Sequence, residues 1–165
     1  MSSTQSTSFD VIYQKFFDKV ENDPDFFDYY NIPEDKAMEI AVERASNLLK
    51  DAIEVLMTKC SPDVDFFNYD NELGCFNFKV YPVEIKLLCD IMYEIYLEKY
   101  LIMLKPIINT LTSSDIKALF SPANERKTYQ ELCKYISLKN EKSISKYIAR
   151  DRATNKLKSI YDNRR

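Results

Sequence analysis

A single glycine, Gly74, is the feature of this 165-residue sequence that most limits its fold. The tight turns of multi-stranded antiparallel sheets need residues with positive φ, and glycine adopts positive φ at the least steric cost. Helices need no such residue. With 45% hydrophobic and 30% charged residues, the chain has the composition of a soluble globular protein with one core. We therefore expect one mainly helical domain.

The sequence contains no histidine. A Ser-His-Asp triad, a Cys-His pair and a histidine-ligated zinc site are therefore impossible. The single glycine also excludes the Gly-rich loops that cradle nucleotide phosphates. No C-x-x-C pair occurs, and we interpret the four cysteines as small buried residues of a reducing compartment: Cys60, Cys75, Cys89 and Cys133. These absences favour a protein that is not an enzyme and that holds neither a cofactor nor a metal.

Apolar residues recur at intervals of three and four over most of the chain, which predicts a helical bundle. The predicted helices span 7–20, 33–59, 82–105 and 122–138, with a short helical turn after Thr112. Thr7 and Ser121 are the predicted caps of the first and last helices, and Pro106 is predicted to end the third. At roughly 35 Å, the helix at 82–105 is expected to be the central one.

Charged residues on the helix at 82–105 recur every four positions on the side opposite its apolar stripe. They are Lys86, Asp90, Glu94 and Glu98. This charge content excludes a transmembrane span.

Between residues 63 and 80 the apolar period changes to two. Phe76 and Phe78 alternate with polar residues, and Gly74 lies at the bend that precedes them. This pattern predicts a small β-hairpin that leans on the helices. The expected organisation is a disordered N-terminal tail at 1–8, a helical domain with a hairpin insertion at 9–138 and an extended basic C-terminal arm at 139–165.

The stretch DPDFFDYYN at 23–31 nearly recurs as DVDFFNYDN at 63–71. A proline-started helix follows the first copy and the hairpin bend follows the second, so the similarity is not a solenoid repeat. We interpret both copies as connectors, with aspartates that face water or cap helix ends and a phenylalanine pair that anchors each connector in the core. An acidic metal loop is the alternative for the second copy, although the EF-hand spacing is absent. Its oxygen ligands would be Asp63, Asp65, Asn68, Asp70, Asn71 and Glu72.

Asp70, Glu84 and Lys86 match, by spacing alone, the acid and acid-x-lysine pattern of one class of metal-dependent nucleases. That chemistry requires Glu84 and Lys86 side by side on a strand. Pro82 and the four-residue period place them on a helix instead, about 200° apart around its axis. A carboxylate-dependent metal enzyme is therefore the weakest of the functional hypotheses.

Charge is divided unevenly along the chain. Residues 1–120 contain 11 Lys and Arg against 21 Asp and Glu, whereas residues 121–165 contain 12 against 5. Basic residues with interleaved tyrosines can bind phosphates, and they can equally dock on an acidic protein surface such as the body of another copy. The candidate partner-binding residues of the arm are Lys146, Tyr147, Arg150, Arg152, Lys156, Lys158 and Tyr161.

Arg44 is a further candidate partner-binding residue, because it lies among small apolar positions of the helix at 33–59. One interpretation is a solvated arginine whose stem lies along the helix. The other is an ion pair with an acid of the helix at 82–105 or of a neighbouring copy.

Five segments follow one another along the chain, within a resemblance that spans about residues 9–161: FFDYYNIPEDKAMEIAVERA, DVDFFNYDNELGCFNF, YPVEIKLLCDIMYEIYLEKYL, FSPANERKTYQ and RDRATNKLKSIY. This ordered series resembles the head–tail connector (adaptor or neck) proteins of tailed phages and prophages of low-GC Gram-positive bacteria. The resemblance rests on overall layout and includes no catalytic motif.

The resemblance implies a non-enzymatic virion structural protein, assembled in the host cytoplasm, with no membrane partner. Many copies would form a homo-oligomeric ring that joins the portal protein to the tail or to a second neck protein and extends the DNA channel. The segment 140–165 would grip a neighbour or the portal, and DNA in the lumen would be touched weakly and without sequence preference. The alternative is a small cytoplasmic nucleic-acid-binding regulatory protein that uses its basic C-terminal segment.

Overall fold

The computed structural model describes residues 6–27, 31–110 and 122–159. Its elements, in chain order, are β1 (Thr7–Ser8), α1 (Asp10–Val20), α2 (Pro24–Phe27), α3 (Glu34–Lys59), β2 (Tyr69–Asp70), β3 (Cys75–Phe76), α4 (Pro82–Thr110) and α5 (Pro122–Ile148). The predicted mainly helical class is confirmed. The predicted helical turn after Thr112, the Ser121 cap and the candidate residue Tyr161 lie outside the described residues.

The core forms where α4 packs against α1, α3 and α5. The buried stripe of α3 is small at its start, with Ala41 and Ala45, and larger towards its end, with Leu48 and Leu56. The alanines bring the backbones close together, while the leucines fill the wider space beyond. Aromatic side chains complete the core, and the fully buried ones are Phe16, Phe26, Phe66 and Phe76.

The predicted hairpin is present as the antiparallel pair β2 and β3, with Gly74 at φ 60° in the turn between them. Its paired strands are two residues long, shorter than the predicted span of 63–80. A third strand, β1, pairs antiparallel with β3 and comes from the segment predicted to be a disordered tail. The Thr7 hydroxyl accepts a hydrogen bond from the Val80 amide at 2.9 Å, so it does not cap α1, which begins at Asp10.

The two near-identical stretches are connectors with a common anchor. Phe26 and Phe66, the first phenylalanine of each pair, are fully buried, which confirms the anchor for one residue of each pair. The second residues differ, because Phe27 packs against the core while Phe67 is 50% exposed. The first copy contains α2, whereas the second contains β2, so the two copies share the buried phenylalanine but not the secondary structure.

Helix α4 runs to Thr110, beyond the predicted end at Lys105. Pro106 removes one backbone N–H donor and therefore one helical hydrogen bond, but the chain on both sides keeps helical geometry. A proline thus weakens this helix without ending it.

The predicted boundary between domain and arm at residue 139 falls inside α5, which continues to Ile148. The apolar period weakens there because a polar residue occupies the buried stripe: Asn140 is 1% exposed, and Ile144 follows it one turn later in the core. Residues 149–158 are not an extended arm. They fold back on themselves, with an antiparallel bridge between Arg150 and Leu157 and a hydrogen bond from the Lys158 amide to the Ala149 carbonyl at 2.9 Å.

Candidate functional site

The C-terminal segment is joined to the start of α4 through one buried carboxylate, Glu84, which is 1% exposed. Arg152 donates to it twice, from Nε at 2.6 Å and from Nη2 at 3.0 Å. The Tyr147 hydroxyl donates at 2.7 Å and the Tyr81 amide at 2.8 Å. We call these four residues the Glu84 cluster. Both carboxylate oxygens are therefore fully engaged within the chain.

The guanidinium of Arg152 is held on several sides. It stacks on the rings of Tyr81 and Phe78, at 4.7 and 5.5 Å from the ring centroids, and its Nη2 also donates to the Lys79 carbonyl. Burial opposes its charge, but the hydrogen bond and the negative charge of Glu84 raise its pKa above the ordinary value. Burial, and then the hydrogen bond to Glu84, raise the pKa of Tyr147. At neutral pH the cluster is one ion pair with a neutral tyrosine.

The loop that carries Arg152 has its own internal support. Asp151 accepts hydrogen bonds from the Thr154 amide and hydroxyl, both at 2.7 Å, and its backbone amide donates to the Lys156 carbonyl at 2.8 Å. Asn155 has φ 56°, a conformation that asparagine tolerates better than most residues. The loop is thus a defined turn that aims Arg152 at Glu84.

The basic residues predicted to bind a partner fall into two groups. Arg152 belongs to the Glu84 cluster, Lys158 pairs with Asp63 at 2.7 Å, and Arg150 donates to the Asn155 carbonyl at 2.8 Å. Lys146 and Lys156 are exposed, and neither side chain has a polar partner within the described part of the chain. The segment therefore uses part of its positive charge for its own fold, and the partner-binding role of these residues stays a prediction.

A second buried polar group lies further along α4, and sequence reasoning missed it. Asp90 pairs with Lys19 of α1 and, at 2.8 Å, with Lys86 of its own helix. Asn140 donates to the Asp90 carbonyl at 2.9 Å and to a Glu94 carboxylate oxygen at 2.7 Å. We call these five residues the Asp90 cluster. Burial opposes the ionisation of Asp90, but the hydrogen bonds from Lys19 and Lys86 outweigh it and lower its pKa.

The four-residue charge period on α4 was the available signal for the Asp90 cluster. The sequence pattern places the charged residues of this period on the side opposite the apolar stripe. Asp90 and Glu94 are nevertheless buried, each with 7% of its surface exposed. They are buried because α1 and α5 cover that side of the helix and supply a lysine and an asparagine. A charged period therefore does not by itself identify the solvent face.

Arg44 contacts the first connector. Its Nη1 donates to the Phe26 carbonyl at 3.0 Å, and its guanidinium lies over the Phe26 ring at 4.6 Å and the Tyr96 ring at 5.9 Å. The solvated interpretation is therefore wrong, since Arg44 packs on the aromatic anchor of this connector. A contact with another copy stays a prediction.

The acidic stretch at 63–71 uses its carboxylates to hold its own backbone. Asp65 accepts from the Phe67 amide at 2.9 Å, and Asp70 accepts from the amides of Glu72 and Leu73 at 2.8 and 3.0 Å. Within residues 6–27, 31–110 and 122–159, no group of three or more Cys, Asp or Glu side chains is arranged to hold a metal ion.

The nuclease pattern is not assembled as its chemistry requires. Glu84 and Lys86 lie on the first turns of α4, as the sequence predicts, and not on a strand. Glu84 points into the Glu84 cluster, Lys86 reaches Asp90, and Asp70 serves the hairpin turn.

The four cysteines are free thiols. Cys60 and Cys89 are buried, as predicted, whereas Cys75 and Cys133 are only partly so. Burial raises the pKa of the Cys89 thiol to about 11, so this residue is a neutral thiol at physiological pH.

A groove of about 250 Å³ lies between α4 and the end of α5. Lys86, Lys146 and Arg150 line it together with Asp90 and the Ser143 hydroxyl. Two of these cations are already engaged, Lys86 with Asp90 and Arg150 with the Asn155 carbonyl. The groove therefore offers mainly Lys146 to a ligand.

Comparisons of the chain with protein-family models, with curated proteins and with solved structures give no match. Among the helices of the described residues, none combines the length and the apolar character needed to cross a membrane.

Proposed function

We propose that the chain is a non-enzymatic virion structural protein, a ring-forming head–tail connector that joins the portal to the tail and extends the DNA channel. In this proposal α4 is the central helix of each subunit. The surface of the helices and the basic C-terminal segment contact neighbouring copies, the portal protein and the tail or a second neck protein.

The observation that carries the proposal is the exposure of large apolar side chains next to charged ones on several elements. Tyr135 and Leu138 of α5 are 66% and 58% exposed, and Met38 of α3 is 51% exposed. Leu73, at the hairpin turn, is 76% exposed. Neighbouring exposed apolar side chains, such as Tyr135 and Leu138 one turn apart on α5, are typical of protein–protein contact surfaces. A subunit that contacts neighbours on more than one side needs several such surfaces.

The Glu84 cluster adds a second support. It fixes the C-terminal segment against α4, so that Lys146 and Lys156 are presented from a defined position. A preformed surface loses less conformational entropy on binding than a flexible arm does. The three residues of the nuclease pattern, Asp70, Glu84 and Lys86, are engaged in internal contacts, which agrees with a structural role.

The first test is the state of assembly. The mass of the purified chain would be measured by native mass spectrometry over a concentration series, and the particles would be imaged by negative-stain electron microscopy. We expect rings of many copies, formed by the chain alone or on addition of a phage portal protein. A chain that stays monomeric under both conditions would contradict the proposal.

The second test addresses the nucleic-acid-binding alternative. Binding of a fluorescent DNA duplex would be followed by anisotropy at rising salt, with the double variant Lys146→Glu, Lys156→Glu beside the native chain. These lysines suit the test because their side chains have no polar partner within the described residues. A connector gives weak binding that disappears at moderate salt. Tight binding that the double variant abolishes would favour the regulatory protein.

A further inference from the structure

Two helix faces on the described surface carry opposite charge around exposed apolar side chains. The first is the start of α3, where residues 34–43 contain four acids and one lysine. The second is the middle of α5, where residues 134–146 contain four lysines and one glutamate. We call them the acidic face (Glu34, Asp35, Met38, Glu39, Val42 and Glu43) and the basic face (Lys134, Tyr135, Leu138, Lys139, Lys142 and Lys146).

Each face has an apolar centre. On the acidic face, Met38 and Val42 are one turn apart and are 51% and 38% exposed. On the basic face, Tyr135 and Leu138 are 66% and 58% exposed. The buried residues of α5, such as Asn140 and Ile144, lie on the opposite side of that helix, so the basic face points away from α4.

The charges of both faces are unpaired within the part of the chain that the structure describes. Within the described residues, none of the eight charged side chains that define the two faces forms an ion pair. All eight are exposed. Three acids elsewhere behave differently, since Asp23, Glu84 and Asp90 are engaged internally. The two faces therefore offer four exposed acids and four exposed lysines, opposite in sign, to a partner.

We infer that the acidic face of one copy binds the basic face of a second copy, with Met38 and Val42 packed against Tyr135 and Leu138. This inference rests on the proposed function and specifies its subunit contact. Opposite charges around a small apolar centre give orientation and partner choice, and the apolar contact gives affinity. Because the two faces differ, two copies that bind in this way leave one acidic face and one basic face free between them. Such head-to-tail contacts continue until a ring closes.

The deciding experiment exchanges the charges. One variant carries Glu39→Lys and Glu43→Lys, and the other carries Lys139→Glu and Lys142→Glu. Each variant alone should self-associate about tenfold less tightly or worse, because like charges then face each other. An equimolar mixture should recover assembly, since every contact in an alternating chain again joins opposite charges. Sedimentation velocity measures both outcomes.

Two matched controls carry the same change of net charge at other exposed positions. They are Glu54→Lys with Glu72→Lys, and Lys15→Glu with Lys59→Glu. These controls should assemble as the native chain does. Recovery in the mixture separates a lost contact from a lost fold, because an unfolded variant cannot be rescued by its partner. If the mixture does not recover assembly, the inferred contact is wrong.

A photocrosslink tests the same contact when association is weak. Leu138 is replaced by benzoylphenylalanine, and copies labelled with heavy and light nitrogen are mixed before irradiation. We expect mixed-isotope crosslinks to peptides that contain residues 34–43. Crosslinks elsewhere, or none, overturn the inference. If rings still form while crosslinks lie elsewhere, this contact fails and the proposed ring stands; if neither rings nor crosslinks form, with or without portal protein, both fail.

Discussion

Two buried carboxylates on α4 are neutralised in different ways. The side-chain partners of Glu84 are Arg152 and Tyr147, which lie more than sixty residues further along the chain. The neutralisation of Glu84 therefore depends on the C-terminal part of the chain. Asp90 forms ion pairs with two lysines, Lys19 of α1 and Lys86 of its own helix. The Glu84 cluster therefore has a single source of positive charge, whereas the Asp90 cluster has a redundant one.

This difference shows where each part of the molecule is vulnerable. Residues 149–158 contact the body through the exposed pair of Lys158 with Asp63 and through the buried pair of Arg152 with Glu84. Loss of Arg152 leaves a carboxylate that is 1% exposed without a cation. The Asp90 cluster joins α1, α4 and α5 through several modest contacts. We expect one substitution in the Glu84 cluster to lower the free energy of unfolding strongly. Single substitutions of the lysines in the Asp90 cluster should lower it only a little.

The largest effect is expected from Arg152→Ala. Removing one partner of a buried ion pair costs about 3–5 kcal/mol of unfolding free energy, because the remaining charge stays buried. Urea unfolding measures the loss. The double variant Glu84→Gln, Arg152→Ala should recover part of it, since no unpaired charge is left. The exposed control Lys156→Ala should change stability by less than about 0.5 kcal/mol. Equal losses for Arg152→Ala and this control would show that Glu84 is not held as described.

A smaller effect is expected from Tyr147→Phe, which removes the hydroxyl that donates to Glu84 at 2.7 Å but keeps the ring. A hydrogen bond to a charged acceptor contributes about 1.5 kcal/mol or somewhat more. The matched control is Tyr135→Phe, because the hydroxyl of that exposed residue belongs to no internal contact in the described structure. Similar urea midpoints for the two variants would contradict the role given to Tyr147.

The redundancy at Asp90 predicts small single effects and a larger combined one. Lys86→Ala removes a mostly exposed helical pair worth about 0.5 kcal/mol. Lys19→Ala should cost about 1 kcal/mol, since Lys86 still neutralises the carboxylate. The double variant should lose more than the sum, because Asp90 is then buried without a cation. Strictly additive losses in chemical unfolding would mean that the two lysines do not substitute for each other.

The sequence predicts the helices better than it predicts the two clusters. Helix α3, predicted at 33–59 and found at Glu34–Lys59, has local signals at both ends, Pro33 at its start and Ser61-Pro62 after it. The local signals of the two clusters do not reveal their burial, because Lys19, Asn140 and Arg152 come from distant parts of the chain. The pairing of Arg152 with Glu84 spans 68 positions, and Asn140 is a polar residue in an otherwise apolar stripe. Periodicity alone therefore reads the end of α5 as an arm and the acids of α4 as solvent-facing.

The two clusters affect the pH dependence of stability at opposite ends of the pH range, Asp90 in acid and Tyr147 in alkali. The pKa of Asp90 is lowered below its ordinary 3.8, so its contribution is complete above that pH and is lost as the pH falls through the lower, folded-state value. The pKa of Tyr147 is raised above its ordinary 10.0, so its contribution is present below that pH and is lost as the pH rises further.

Asp90→Asn should therefore flatten the decline of the unfolding free energy below pH 3.8 and leave the alkaline limb unchanged. Tyr147→Phe should do the reverse and flatten the decline above pH 10.0. Urea unfolding of both variants and the native chain at each pH measures the slopes. Each variant is the control for the other, since each keeps the titratable group that the other lacks. A variant that changes both limbs, or neither, would show that the two clusters do not titrate independently.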